Sequence, residues 1–121
     1  MRLKQVWLGV VAVLVGLAVL GGCSTSGGIA VDAGTVVVDV RTPQEYAQGH
    51  LDGATNIDVE SPDFAQQVAQ LDPKTHYVVY CHSGNRASVA VDYMKQQGFG
   101  NVVNAGGIQA ASSATGLKVV S

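Results

Sequence analysis

A chain of 121 residues has room for one domain at the usual size of roughly 100–200 residues. It carries 7 basic and 9 acidic residues, a formal net charge of −2, and from residue 23 onward the balance is 5 against 9, which excludes a nucleic-acid-binding body with a clustered Lys/Arg footprint. Two cysteines exclude a disulfide-dense scaffold and a cysteine-based zinc site.

Residues 1–5 form a short basic head (Arg2, Lys4), and residues 6–20 are a continuous apolar run. That layout is the one expected of a bacterial export signal, and it falls short of the roughly 20 apolar residues of a transmembrane helix. Leu20-Gly21-Gly22-Cys23 resembles the lipobox of bacterial lipoproteins. The resemblance implies cleavage before Cys23, acylation of its thiol, and a body held by acyl chains on the extracytoplasmic face of a membrane. Two or three such chains make a stable anchor. The expected division is therefore a signal peptide over 1–22, a lipidated Cys23 with a flexible tether over 23–34, and a folded domain over 35–121.

Thr35-Val36-Val37-Val38-Asp39-Val40 is a β-branched run that predicts a strand buried on both faces. Thr42, Pro43 and Glu45 then fit the N-cap, first and third positions of a helix over 43–48 closed by Gly49. A short strand is expected over 54–57. A second helix is expected to open at Ser61-Pro62-Asp63 and run to about Gln70, with Phe64, Val68 and Leu71 on one face. Residues 76–80 read as the next buried strand and 87–97 as a helix with Val91 and Met94 inward. A third strand over 102–104, a turn at Gly106-Gly107 and an edge strand over 118–120 complete the pass, while 110–116 is small and weakly patterned. Strands alternating with helices predict an α/β fold with a parallel sheet covered on both faces.

In such sheets ligands bind beyond the carboxyl ends of the strands. Asp39 and Arg41 close the first strand, and Cys81-His82-Ser83-Gly84-Asn85-Arg86 follows the second. A tight loop entering a helix turns backbone N–H groups inward and adds the positive end of the helix dipole. It therefore favours a thiolate, a persulfide or a bound oxyanion at its centre. Gly84 supplies conformational freedom, and Arg86 offers a planar fork for an oxyanion. An inert buried cysteine is the alternative reading; Gly84 and Arg86 tip the balance toward an activated nucleophile.

These residues resemble a single-domain rhodanese, a sulfurtransferase module. Asp39-Val40-Arg41, Glu45-Tyr46 and the run Gly49-His50-Leu51-Asp52-Gly53-Ala54-Thr55-Asn56-Ile57 match the family's first motif. Cys81, Gly84 and Arg86 match its C-x-x-G-x-R loop, and Gly98-Phe99 through Gly106-Gly107-Ile108 match its late run. The resemblance implies a rhodanese-like sheet, N-terminally trimmed, with Ala111 where an aromatic is usual. Cys81 would take sulfur from a small sulfur-containing anion such as thiosulfate and hold it as a persulfide. It would then pass the sulfur to cyanide, a thiol or a reducing protein. Backbone amides of 81–86 would cradle the persulfide, with His82, Ser83, Gly84, Asn85 and Arg86 as the substrate-binding loop. Arg86 would orient the loop or the donor's anionic end. Asp39 and Arg41 would support the loop, with Arg41 pairing with Glu45 or facing the donor. No metal, nucleotide or organic cofactor is expected.

His50 is expected to fix its turn by hydrogen bonding, His76 to be solvated, and His82 to point away from Cys81. Tyr46, Tyr77, Tyr80 and Tyr93 are expected in packing roles, and the remaining acidic residues on solvated faces. Two other functions stay open: a non-turnover persulfide carrier or binding module, and a phosphatase or arsenate-reductase-type enzyme. The latter is built around C-x5-R, whereas Cys81 to Arg86 is C-x4-R.

Overall fold

The computed structural model describes residues 28–121; the export signal, the lipobox with Cys23 and the tether up to residue 27 lie outside the described residues. The rest of the expected tether is docked, with Ile29 N–H donating to the Ala114 carbonyl at 2.8 Å and Ile29 and Val31 packed on the second core. The chain runs β1 (Thr35–Asp39), α1 (Pro43–Gln48), β2 (His50–Leu51), β3 (Thr55–Asn56), α2 (Phe64–Ala69), β4 (His76–Cys81), α3 (Asn85–Gln96), β5 (Val102–Gly107), α4 (Ile108–Thr115) and β6 (Val119–Val120). Four strands form a parallel sheet in the order β3-β1-β4-β5, and β2 pairs antiparallel with β6 beside it. This is the α/β sheet that the strand–helix alternation predicts.

The β-branched run becomes a buried strand because alternate side chains enter two cores. Val38 and Val40 join Val79, Cys81, Phe64, Val68, Ala90, Val91 and Met94 on the α2/α3 side. Val37 joins Val78, Tyr80, Leu51, Ile108 and Ala111 on the other. Each fully buried Val or Met contributes about 1.5–3 kcal/mol, so truncating Met94, 1 % exposed, costs about 2–5 kcal/mol.

Helix α1 starts as its sequence predicts. Glu45 N–H donates to Thr42 Oγ1 at 3.2 Å while Thr42 N–H donates back to Glu45 Oε1 at 3.1 Å, a complete capping box. Helix α2 starts later than expected. Ser61-Pro62-Asp63 forms a turn instead, with Asp63 N–H on Ser61 Oγ and Phe64 N–H on the Ser61 carbonyl. Helix α3 starts earlier, at Asn85 rather than Ala87, because Gly84 reverses the chain at φ +102° and its carbonyl takes the N–H of Ser88.

The late part of the chain differs most. Strand β5 continues through Gly106-Gly107, where a turn was expected, and residues 108–115 are helical. Helix α4 forms on tertiary packing: Ile108 and Ala111 are buried against the second core, and Gly116, at φ +80°, caps the end by donating to the Ser112 carbonyl at 2.8 Å. Ala111 is 0 % exposed. The expected edge strand is present as β6, and its partner β2 is an element the periodicity did not reveal.

Candidate active site

Cys81 is the last residue of β4 and is fully buried. The chain leaves the sheet over His82 and Ser83, turns at Gly84, and enters α3 at Asn85. Gly84 takes the left-handed conformation that a side chain rarely adopts. Its N–H thereby points back and donates to Cys81 Sγ at 2.8 Å. No side chain caps α3, so the N–H groups of Asn85, Arg86 and Ala87 have no intrahelical acceptor. The sulfur therefore sits at the positive end of a twelve-residue helix, in a setting that stabilises negative charge on it.

The loop rests on β5. Cys81 and Gly107 are register partners, and a Cβ on Gly107 would overlap the carbonyl oxygen of His82. Asn104 ties the two together: its Nδ2 donates to the Gly84 carbonyl at 3.3 Å and its Oδ1 accepts from Gly106 N–H at 2.7 Å. Gly106-Gly107 is thus the floor of the loop.

Asp39, Arg41 and Tyr80 form a buried polar cluster at the ends of β1 and β4. Asp39 Oδ1 accepts from Arg41 N–H and Nε, and Oδ2 accepts from Arg41 Nη2 at 2.6 Å and Tyr80 OH at 2.7 Å. Arg41 Nη2 also donates to the Gly49 carbonyl, and Tyr80 OH accepts from Leu51 N–H at 2.9 Å. Asn56 Nδ2 donates to the carbonyls of both Asp39 and Arg41. The hydrogen bond to Asp39 raises the Arg41 pKa, and burial pushes the Tyr80 hydroxyl well above its ordinary value. The Asp39 side chain, expected to brace the 81–86 loop, bonds Arg41 and Tyr80 at the strand ends instead. Arg41 pairs with Asp39, not with Glu45, and is only 5 % exposed.

Glu45 instead holds Arg86. Arg86 Nη1 and Nη2 donate to Glu45 Oε1 and Oε2 at 2.8 and 3.0 Å. That hydrogen bonding raises the Arg86 pKa, and the Glu45 carboxyl is held down to about 2. Arg86, expected to orient the loop or the donor's anionic end, is thus held by a carboxylate of the chain itself. His82, Ser83 and Asn85 are exposed around the loop.

Three residues carry more than the sequence suggested. Tyr80, expected as packing, is the hub of the buried cluster. Glu45 joins a helix cap to the loop, and Gly107 makes room for it; the family motifs that contain Glu45 and the Gly-Gly pair were the available signal. His50 behaves as expected, its Nδ1–H donating to the Tyr46 carbonyl at 2.9 Å with its ring stacked on Tyr46. His76 lies at the start of β4, remote from the loop, its Nδ1 3.4 Å from Thr35 Oγ1. Among the described residues no group of three or more His, Cys, Asp or Glu is arranged to hold a metal ion.

A cysteine cradled between a parallel strand and a helix N-terminus narrows the field to a few folds, and the family comparison decides among them. The model of the rhodanese-like domain matches residues 29–114. The chain belongs to the rhodanese family. Among curated rhodaneses, the thiosulfate sulfurtransferase GlpE of Pseudomonas entomophila (strain L48) is 47 % identical over 75 residues, covering 61 % of this chain and 66 % of that protein. GlpE of Stutzerimonas stutzeri (strain A1501) is 36 % identical over 77 residues, covering 63 % and 68 %. Among solved structures, a rhodanese with anions from E. coli superimposes with a TM-score of 0.60 at 29 % identity, covering 71 % of this chain and 96 % of that one. A rhodanese-related protein from Thermoplasma volcanium gives 0.61 at 33 % identity, covering 72 % and 84 %. The rhodanese fold is thus common to this chain and those structures, and no helix among the described residues is long and apolar enough to cross a membrane.

Proposed function

We propose that this rhodanese is a sulfurtransferase that carries sulfane sulfur on Cys81. The observation that carries the reading is the placement of Cys81 Sγ, 2.8 Å from the Gly84 N–H at the start of α3. In the first step the thiolate attacks the outer sulfur of a donor such as thiosulfate. The donor's S–S bond breaks, sulfite leaves with the electron pair, and Cys81 becomes a persulfide. In the second step cyanide or a thiol attacks the outer sulfur and the Cys81 thiolate is released. This is two-step covalent catalysis with ping-pong kinetics. The first-turn N–H groups of α3 and the Gly84 N–H hold the negative charge through both steps. Arg86 positions the loop through Glu45 instead of gripping the donor.

The test is steady-state thiocyanate formation from thiosulfate and cyanide, with Cys81→Ser as control. Turnover, loss in the variant, and a mass gain of one sulfur atom after incubation with thiosulfate alone support the reading. Stoichiometric loading without turnover indicates a carrier, and no loading refutes sulfur chemistry at this site.

We further propose that the enzyme is displayed on the extracytoplasmic face of a membrane through acylated Cys23, which leaves Cys81 as its only free thiol. A thiolate there is prone to oxidation and has no resolving cysteine on its own chain, so a small thiol or a reducing protein must restore it. Intact mass of membrane-extracted protein checks the anchor: a chain starting at Cys23 with added acyl groups is expected, and an unmodified chain starting at Met1 refutes it.

A further inference from the structure

Strands β4 and β5 do not keep even register up to the sulfur. Val79 pairs with Asn104 and Cys81 with Gly107, so Ala105 and Gly106 together stand opposite Tyr80 alone. Such a bulge bends its strand and re-aims the side chains beside it. Here the re-aimed side chain is that of Asn104, an exposed residue. Its Oδ1 accepts the Gly106 N–H at 2.7 Å, and its Nδ2 donates to the Gly84 carbonyl at 3.3 Å. Both glycines are left-handed, at φ +86° and +102°. They also pack on each other: a Cβ on Gly84 would lie 3.5 Å from Gly106 Cα. One amide thus joins the two turns that meet beside Cys81.

The Gly84 carbonyl is held from a second side by the Ser88 N–H at 3.0 Å, while the Gly84 N–H donates to Cys81 Sγ at 2.8 Å. Rotation about the Gly84 Cα bonds would withdraw that N–H from the sulfur. The same rotation would have to swing the carbonyl away from both of its donors. We propose that Asn104 is a positioning residue of sulfur transfer: by holding the Gly84 carbonyl it keeps the Gly84 N–H on the Cys81 sulfur. The inference rests on the sulfurtransferase reading above. Charge on Sγ is greatest before the donor is attacked and again as the thiolate leaves its persulfide. A hydrogen-bond donor fixed in advance costs no reorganisation at either point. Asn104 reaches the sulfur only through Gly84, so it acts on rate and leaves donor binding alone. An amide supplies both the N–H for Gly84 and the oxygen for Gly106; a carboxylate supplies the oxygen alone.

The test compares the full chain with Asn104→Ala and Asn104→Asp in thiocyanate formation from thiosulfate and cyanide. Asn104→Asp keeps the acceptor for the Gly106 N–H, and with it the bulge, but has no donor for the Gly84 carbonyl. Both variants should lower kcat by about two- to tenfold, the range that one neutral hydrogen bond spans, with the thiosulfate KM unchanged. Salt separates the lost donor from the added charge of Asn104→Asp, because screening weakens only the latter. Its kcat relative to the unaltered chain should therefore be the same at low and high ionic strength. Unaltered kcat in Asn104→Asp would show that the amide serves the bulge alone, and a loss confined to KM would place it at the donor; either overturns the proposal. Thiosulfate loading of Cys81 by one sulfur atom in the unaltered chain keeps the sulfurtransferase reading standing in those cases. Failure to load overturns both.

Discussion

Glu45 and Arg86, 41 residues apart in the chain, meet through two parallel N–H···O bonds of 2.8 and 3.0 Å. The carboxylate that closes the capping box of α1 is therefore also the clamp on the first turn of α3. A local helix-start signal and the geometry of the sulfur-bearing loop share one side chain.

The acid dependence of stability should report this pair. The Glu45 pKa lies at about 2, below its ordinary value of 4.5, so its stabilisation is fully present above pH 4.5 and is lost as pH falls toward 2. The side chains are 26 % and 32 % exposed, so solvent screening limits the pair to about 0.2–1 kcal/mol. Glu45→Gln should flatten the acid limb of the denaturation midpoint, and a double-mutant cycle with Arg86→Gln should return a coupling of that size. Sulfur transfer should fall several-fold in either variant through the displaced loop. A zero coupling would show that the bridge does not hold the loop.

Asp39 is buried with all of its hydrogen-bonding capacity engaged. Asp39→Asn leaves the buried Arg41 guanidinium without its counter-charge and should cost about 3–5 kcal/mol in urea denaturation. Tyr80→Phe strands the Leu51 N–H and removes one of the donors to Asp39 Oδ2, which keeps its bond from Arg41 Nη2, at about 1–3 kcal/mol. A change below about 0.5 kcal/mol in both, the range of ordinary surface substitutions, would mean the cluster is not holding the strand ends together.

Gly107 separates packing from catalysis. A methyl group there drives into the His82 carbonyl, so Gly107→Ala should displace the loop, cost about 1–3 kcal/mol by overpacking, and reduce Cys81 loading more than stability alone explains. Gly100→Ala meets nothing within 4 Å and serves as the neutral comparison. Equal loading rates in the two variants would contradict the role of Gly107 as the floor of the loop.

Loop length should decide between sulfur and phosphate. Four residues lie between Cys81 and Arg86, and Arg86 is engaged with Glu45, so aryl phosphate hydrolysis should stay at background. Inserting one Gly between Asn85 and Arg86 breaks the register of the Glu45 clamp and should reduce thiocyanate formation. Robust phosphatase activity in the unaltered protein would show that loop length does not set the chemistry here.

Much of this molecule was readable along the chain because the signals act over a few residues. The β-branched run before Asp39, the Thr42-x-x-Glu45 box and the Cys81–Arg86 spacing depend on backbone preference and local hydrogen bonding, and each appears where it was expected. The family motifs singled out Cys81 and Asp39 by the same local means. What the chain could not announce were the partners of charged and small residues. Glu45 was expected to be available to Arg41; the fold gives it to Arg86 and gives Arg41 to Asp39, because a guanidinium takes whichever carboxylate the packed elements bring within reach. Helix α4 was hidden because alanine and serine carry little periodicity, and it forms where Ile108 and Ala111 can be buried. Strand β2 was hidden because two residues pair only once β6, nearly 70 positions later, is laid beside them. Contacts that close long loops are decided by tertiary packing, and it is those contacts that set the Glu45–Arg86 clamp on the loop after Cys81.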